Sequence, residues 1–170
     1  MILPRTPAPD LSVPLAGGGT WSLGDQAPAA FTMIVVYRGL HCPICKGQLQ
    51  ALQGKLDAFA ERGVDVIAVS ADSEERATRA KQDWCLDALR LGYGLDLGTA
   101  RKWGLFISAG MGKEPEQFAE PGIFLIKPDG ALYFAAIQNM PFARPPLDEI
   151  LGAIDFVVKN DYPARGEVAA

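Results

Sequence analysis

The chemistry of this chain concentrates in one run, Tyr37-Arg38-Gly39-Leu40-His41-Cys42-Pro43-Ile44-Cys45. It carries two of the three cysteines and the only histidine. Thiols three residues apart at the start of a helix face each other closely enough to join as a disulfide. A sulfur in that first turn also sits beside unpaired backbone N–H groups and the positive end of the helix dipole. Both favour the thiolate, the form of cysteine that reacts. A C-x-x-C after a strand and before a helix reads as a thiol–disulfide redox site. Attack on a disulfide or a peroxide needs one accessible thiolate and a second thiol to resolve the intermediate. The spacing assigns Cys42, at the exposed helix tip, as nucleophile. Cys45, on the buried face, is the resolving thiol; the opposite order stays open. His41, when protonated, and Arg38, across the turn, could lower the Cys42 pKa further; an ordinary salt-bridge role for Arg38 and a merely exposed His41 stay open.

These residues need a strand before them and a helix after them. Phe31 to Tyr37 is a β-branched and aromatic run that fits a central strand buried on both faces. From Pro43 onward, Cys45, Leu49, Leu52, Leu56 and Phe59 form one apolar stripe, which predicts a single helix closed by Arg62-Gly63. A second strand spans 64–70. A helix capped by Asp72 or Ser73 runs to about Trp84, with Glu74 and Glu75 in its first turn. A short strand over 89–93 and a short helix over 99–103 follow. Residues 104–120 are poorly patterned and could be an interface or a lid. Residues 122–136 predict a hairpin around Asp129-Gly130. A last helix, 146–159, should bury Leu147, Ile150, Leu151, Ile154, Val157 and Val158. Ahead of all this, 11–15 and 20–23 predict two short strands around Gly17-Gly18-Gly19. The fold class is α/β: a mixed central sheet with helices on both faces and an N-terminal hairpin, in one domain over 1–170.

At 170 residues, with 49% hydrophobic and 21% charged, the chain suits one well-cored domain. A net charge of −4 gives no reason to expect nucleic acid or an anionic membrane as partner. No apolar stretch is long enough to span a bilayer, and the N-terminus lacks a signal-peptide pattern. Three cysteines are too few for a disulfide scaffold, so the expected compartment is the cytoplasm. His41, Cys42, Cys45 and Cys85 could be arranged around zinc. However, adjacent His41 and Cys42 make tetrahedral geometry awkward, so neither metal nor cofactor is expected. Cys85 reads as a small buried residue, with a second resolving or sensor role left open. Trp103, Phe106 and Met111 read as packing residues rather than a partner-binding rim, and Arg144, flanked by prolines, as a solvated loop arginine rather than an anion-binding one.

The element order, Ala8-Pro9-Asp10-Leu11, the C-P-x-C at Cys42 to Cys45, Glu120-Pro121-Gly122 and Phe124 to Gly130 together resemble the thioredoxin fold. More specifically, they resemble the peroxiredoxin-like branch of the alkyl hydroperoxide reductase and thiol-specific antioxidant superfamily, over nearly the whole chain. The resemblance implies a thioredoxin-like three-layer sandwich and an antioxidant enzyme that reduces hydroperoxides or disulfides. It also implies a thioredoxin- or glutathione-type thiol donor. A non-enzymatic redox sensor or partner-binding module is the alternative, and the oligomeric state stays open. A peroxiredoxin active loop has the pattern Pro-x-x-x-Thr/Ser-x-x-Cys. With Cys45 at its cysteine, Cys42 replaces the Thr or Ser and Arg38 replaces the Pro. The family's second arginine usually precedes the strand matching Phe124; here that place is close to Pro121, so the peroxide-binding constellation is incomplete. Pro121 instead matches the thioredoxin cis-proline, which lies against the dithiol.

Overall fold

The computed structural model describes residues 2–169. Five strands form the central sheet. They are β3 (Phe31–Val36), β4 (Val64–Val69), β5 (Leu91–Gly92), β8 (Gly122–Ile126) and β9 (Leu132–Ile137), in the order β5-β4-β3-β8-β9. β3 runs parallel to β4 and antiparallel to β8, so the sheet is mixed as expected. Two small ladders lie outside it: β1 (Ser12–Pro14) with β2 (Thr20–Ser22), and β6 (Ile107–Ala109) with β7 (Gln117–Ala119).

Every residue of β3 is buried, because both faces of the sheet are covered. Met33 and Val35 face a core shared with helices α1 (Pro43–Gln53), α2 (Leu56–Glu61), α3 (Glu74–Asp83) and α5 (Leu147–Asn160). Ile34 and Val36 face the other core. There Trp103, at the end of α4 (Leu97–Lys102), and Val13 and Trp21 of the N-terminal hairpin close the layer. Each fully buried large apolar side chain contributes about 1.5–3 kcal/mol through removal from water. The sheet is thus a rigid base, and the C-terminal end of β3 delivers the cysteine run to its edge.

The structure differs from the sequence reading in particular places. The expected single helix is broken: α1 ends at Gly54, whose N–H bonds to Gln50 O and Leu52 O, and α2 restarts from Lys55. The apolar stripe survives the break because Phe59 still points into the core. Residues 104–120 are not patternless, since they form the β6–β7 ladder, whose strands are too short to show an alternation. Val158 is exposed, and Val157 only half-buried, because α5 turns that end away from the sheet. Cys85 is exposed rather than buried. It adopts φ +56° just past the C-cap of α3, where the chain reverses direction. Trp103 is buried as expected, whereas Phe106 and Met111 are exposed on the β6–β7 arm. Among the described residues no peptide bond is cis, so Pro121 is trans. Glu120 N–H donates to Phe106 O and Pro121 O accepts from Gln138 N–H, which keeps this segment extended between β7 and β8. Among the described residues, no helix is long and apolar enough to cross a membrane.

Candidate active site

The cysteine run leaves β3 through Tyr37, whose N–H continues the ladder to Val69 O. Gly39 then turns the chain at φ +129°, a conformation an L side chain rarely adopts. The turn brings Cys42 to the N-cap of α1, with Pro43 as the first helical residue. Proline suits that position because its missing N–H would have had no partner there. The Cys42 sulfur accepts a hydrogen bond from Cys45 N–H at 3.3 Å, as a serine or aspartate cap would. Cys45 lies one turn in, with its Sγ accepting from Arg38 N–H at 3.4 Å.

One cation reaches both sulfurs. Arg144 Nη2 lies 3.1 Å from Cys45 Sγ and 3.9 Å from Cys42 Sγ. Its other atoms are fixed: Nη1 donates to Gln48 Oε1, and Nε donates to Pro141 O at 2.8 Å. The preceding Ala143 has φ +57°, a left-handed turn that helps aim the arginine back at α1. Arg144 is therefore not the solvated residue that its loop position suggested. This segment packs beside Pro43, Ile44 and Gln48. It also explains why Cys42 is not an exposed tip: Cys42 is 1% and Cys45 0% accessible, and both are free thiols.

The two sulfurs share a proton unequally. Donation from the Cys45 thiol is the main influence that lowers the Cys42 pKa to about 6, from an ordinary 9.0. Burial opposes this, and Cys45 N–H, Arg144 and Arg38 add to it. Burial and the same shared hydrogen bond push the Cys45 thiol well up. The pair thus holds one thiolate and one thiol near neutral pH.

A second group of residues grips the turn from behind. The Arg38 guanidinium sits over the Phe118 ring at 4.5 Å, and the His41 ring packs on the same phenyl at 4.6 Å. Arg38 Nη2 is 3.5 Å from Glu114 Oε1 and Nε is 3.3 Å from Glu120 Oε2. The latter two atoms are buried without an aligned hydrogen bond, so charge rather than hydrogen bonding holds that contact. Glu120 is oriented by Ser108, whose hydroxyl donates to Oε1 at 2.6 Å. From the other side, Asp72 Oδ2 accepts Leu40 N–H at 2.7 Å and Oδ1 accepts Arg76 Nε at 2.7 Å. Arg76 Nη2 in turn reaches His41 Nδ1 at 3.5 Å. Burial lowers the His41 pKa, so this ring is neutral at pH 7. His41 is thus a packing residue, neither the cation beside Cys42 nor the exposed ring that the sequence left open.

The structure brings Arg38, His41, Pro43, Cys42 and Cys45 together. Pro121 lies at the same end of the sheet, since neighbouring Gly122 pairs with Val36 at the end of β3. Sequence reasoning missed Arg144, Gln48, Asp72, Glu114, Phe118 and Glu120. The available signals were weak: Gln48 lies three residues after Cys45 on the helix, and prolines on both sides stiffen the segment holding Arg144. Among the described residues, no cluster of three histidine, cysteine or carboxylate side chains is arranged to hold a metal.

Comparison with known proteins extends this picture. No curated protein sequence matches the chain. Solved structures do. The reduced 2-Cys peroxiredoxin of Plasmodium vivax superposes with a TM-score of 0.78 at 18% identity, covering 95% of this chain and 84% of that one. AhpC of Enterococcus faecalis gives 0.76 at 18% identity, with 97% and 99% covered. The peroxidoxin BcpB of Mycobacterium tuberculosis gives 0.74 at 14% identity, with 92% and 99% covered. At such identities these likenesses establish the thioredoxin-like peroxiredoxin fold. The sequence model of the AhpC/TSA family matches residues 4–135. That span is most of the chain and contains both cysteines of the helix cap, so the chain belongs to the AhpC/TSA family.

Proposed function

We propose that this protein is a thiol-dependent peroxidase that cycles Cys42 and Cys45 between dithiol and disulfide. The observation that carries the reading is the single arginine, Arg144, set against both sulfurs at the N-terminus of α1. Cys42, held as thiolate, attacks the terminal oxygen of a hydroperoxide. The O–O bond breaks, Cys42 becomes a sulfenic acid, and the departing alkoxide takes a proton to leave as the alcohol, or as water from hydrogen peroxide. The Cys45 sulfur then attacks the Cys42 sulfur. An S–S bond forms, the S–O bond breaks, and hydroxide leaves as water with the Cys45 proton. A donor dithiol of thioredoxin or glutathione type returns the pair to the reduced state. Arg144 lowers the cost of charge on both sulfurs through the first two steps. Since Cys42 is almost fully covered, side chains around its sulfur, Arg144 among them, must move aside for a hydroperoxide to reach it. Arg38 supplies its backbone N–H to Cys45 and its side chain to the Phe118 clamp, whereas His41 packs as a neutral ring. Pro43 starts the helix and Pro121 leads into the neighbouring strand β8. A cytoplasmic setting, where thiol pools keep cysteines reduced, supports such a cycle.

One observation favours the opposite order. Arg38 N–H and Arg144 both donate to Cys45 Sγ, whereas Cys42 Sγ receives only one close N–H. In that order Cys45 attacks the peroxide and Cys42 resolves. Mixing reduced protein with hydrogen peroxide and timing the Cys42–Cys45 disulfide tests the shared claim. Oxidation orders of magnitude faster than free cysteine is expected. Oxidation at the pace of an ordinary thiolate would leave disulfide exchange or redox sensing as the function.

A further inference from the structure

We propose that Asp72 is a positioning residue for the dithiol, acting through the backbone of the 38–41 turn rather than through its charge. The proposal rests on the reading of Cys42 and Cys45 as the reactive pair. Asp72 and Glu120 are the two buried carboxylates among the described residues, and both grip this turn. Asp72 does so more directly. Its carboxylate accepts Leu40 N–H at 2.7 Å, with its own N–H held by Ser70 Oγ at 3.3 Å and its carbonyl accepting Gly94 N–H at 2.9 Å. Leu40 directly follows the two residues whose backbones address the cysteines. Gly39 O accepts Cys42 N–H at 3.1 Å, and Arg38 N–H donates to Cys45 Sγ at 3.4 Å. Pinning Leu40 therefore fixes the donor to one sulfur and the backbone of the other. The carboxylate also lies so close to Gly39 that a Cβ there would come within 2.7 Å of Oδ1. Glycine at 39 is thus required twice, by its φ and by this approach.

Two mechanisms by which Asp72 could influence the sulfurs have opposite signs. A buried negative charge near a thiol disfavours the thiolate, so removing the charge alone would lower the thiolate midpoint. Loosening the turn would remove Arg38 N–H from Cys45 and shift Cys42, which would raise the midpoint. The other charged and titratable groups facing the turn are Arg38, His41, Glu114 and Glu120 on one side, Arg76 and Tyr37 on the other, and Arg144 above the sulfurs. All remain in the variants below.

The test is a pH titration of thiolate absorbance on the reduced, folded protein, with circular dichroism as a check on the fold. Asp72→Ala should raise the midpoint by one pH unit or more, cutting the rate of oxidation by hydrogen peroxide at pH 7 about twofold for a one-unit rise and about tenfold for two. Asp72→Asn keeps an acceptor for Leu40 N–H without the charge, and should show no such rise. Gly39→Ala keeps the charge but drives the turn off Asp72, so it should rise as Asp72→Ala does. It also supplies the reading if Asp72→Ala fails to fold. Midpoints that stay put or fall in Asp72→Ala and Gly39→Ala would overturn the proposal. An ordinary midpoint in the unaltered protein would instead overturn the underlying reading of the dithiol, so the two failures are distinguishable.

Discussion

Replacing Arg144 with methionine removes the one cation that touches both sulfurs while keeping an unbranched apolar chain in its place. Its Nη2 stands 3.9 Å from Cys42 Sγ. At an effective dielectric constant of about 20, a full charge pair at that distance is worth about 4 kcal/mol. A hydrogen bond to a charged group contributes about 1.5–3 kcal/mol net. The full-charge figure is an upper bound, because donation from the Cys45 thiol remains and is the main influence on Cys42. At about 1.4 kcal/mol per pH unit, the hydrogen-bond figure gives a rise of about one to two units, from about 6 to between about 7 and 8. At pH 7 the thiolate share falls from about nine-tenths to between about one-half and one-tenth, and the rate of attack on peroxide falls at least in proportion. Thiolate absorbance against pH reads the first quantity, and stopped-flow oxidation by hydrogen peroxide reads the second. An unchanged midpoint in a folded Arg144→Met protein would refute the role given to this residue. A raised midpoint with an unchanged rate at pH 7 would refute the link between thiolate and turnover.

Other consequences follow from the same geometry. Because the folded Cys42 pKa is depressed, its contribution to stability is full above pH 9 and is lost as pH falls through about 6. Urea unfolding of the reduced protein should therefore show a gain of up to about 4 kcal/mol between pH 6 and 9 that Cys42→Ser lacks; equal pH profiles would contradict it. Above pH 9 the raised Cys45 pKa works the other way, since the unfolded chain ionises first. His41→Gln should leave the thiolate midpoint within about half a unit, because the native ring is already neutral; a large rise would show that the imidazolium matters. Leu49→Ala, at a fully buried site on α1 below the dithiol, should cost about 2–5 kcal/mol of unfolding free energy. A loss well under that in equilibrium unfolding would mean that the helix is less tightly seated than described.

The strand, the helix start and the hairpin were legible in the sequence because each follows from local pattern. Phe31 to Val36 is a nearly unbroken run of β-branched, aromatic and aliphatic residues, and Asp129-Gly130 marks its own turn. The break at Gly54 escaped because the stripe of Leu49, Leu52 and Phe59 runs through it undisturbed. The dithiol was legible from spacing, but its surroundings were not. Arg144 lies 99 residues from Cys45 and Asp72 lies 32 from Leu40. No periodicity links residues so far apart, so only the folded chain shows that they meet. The same distance explains the misplaced exposure of Cys42. As an N-cap it looks open from α1 alone, and only the folded chain brings Arg144 Nη2 to within 3.9 Å of its sulfur. The role of His41 stayed open in the sequence for want of any sign of Phe118, against which its ring packs.

The central claim is the order of events at the two sulfurs. The direct measurement is intact-mass analysis of Cys45→Ser and Cys42→Ser after brief exposure to hydrogen peroxide in the presence of a sulfenic-acid trap. With Cys42 attacking first, Cys45→Ser should carry one trapped sulfenic acid on Cys42, formed at close to the rate of the unaltered protein, and Cys42→Ser should be inert. Rapid trapping on Cys45 in Cys42→Ser, with Cys45→Ser inert, would contradict the account and assign the attack to Cys45.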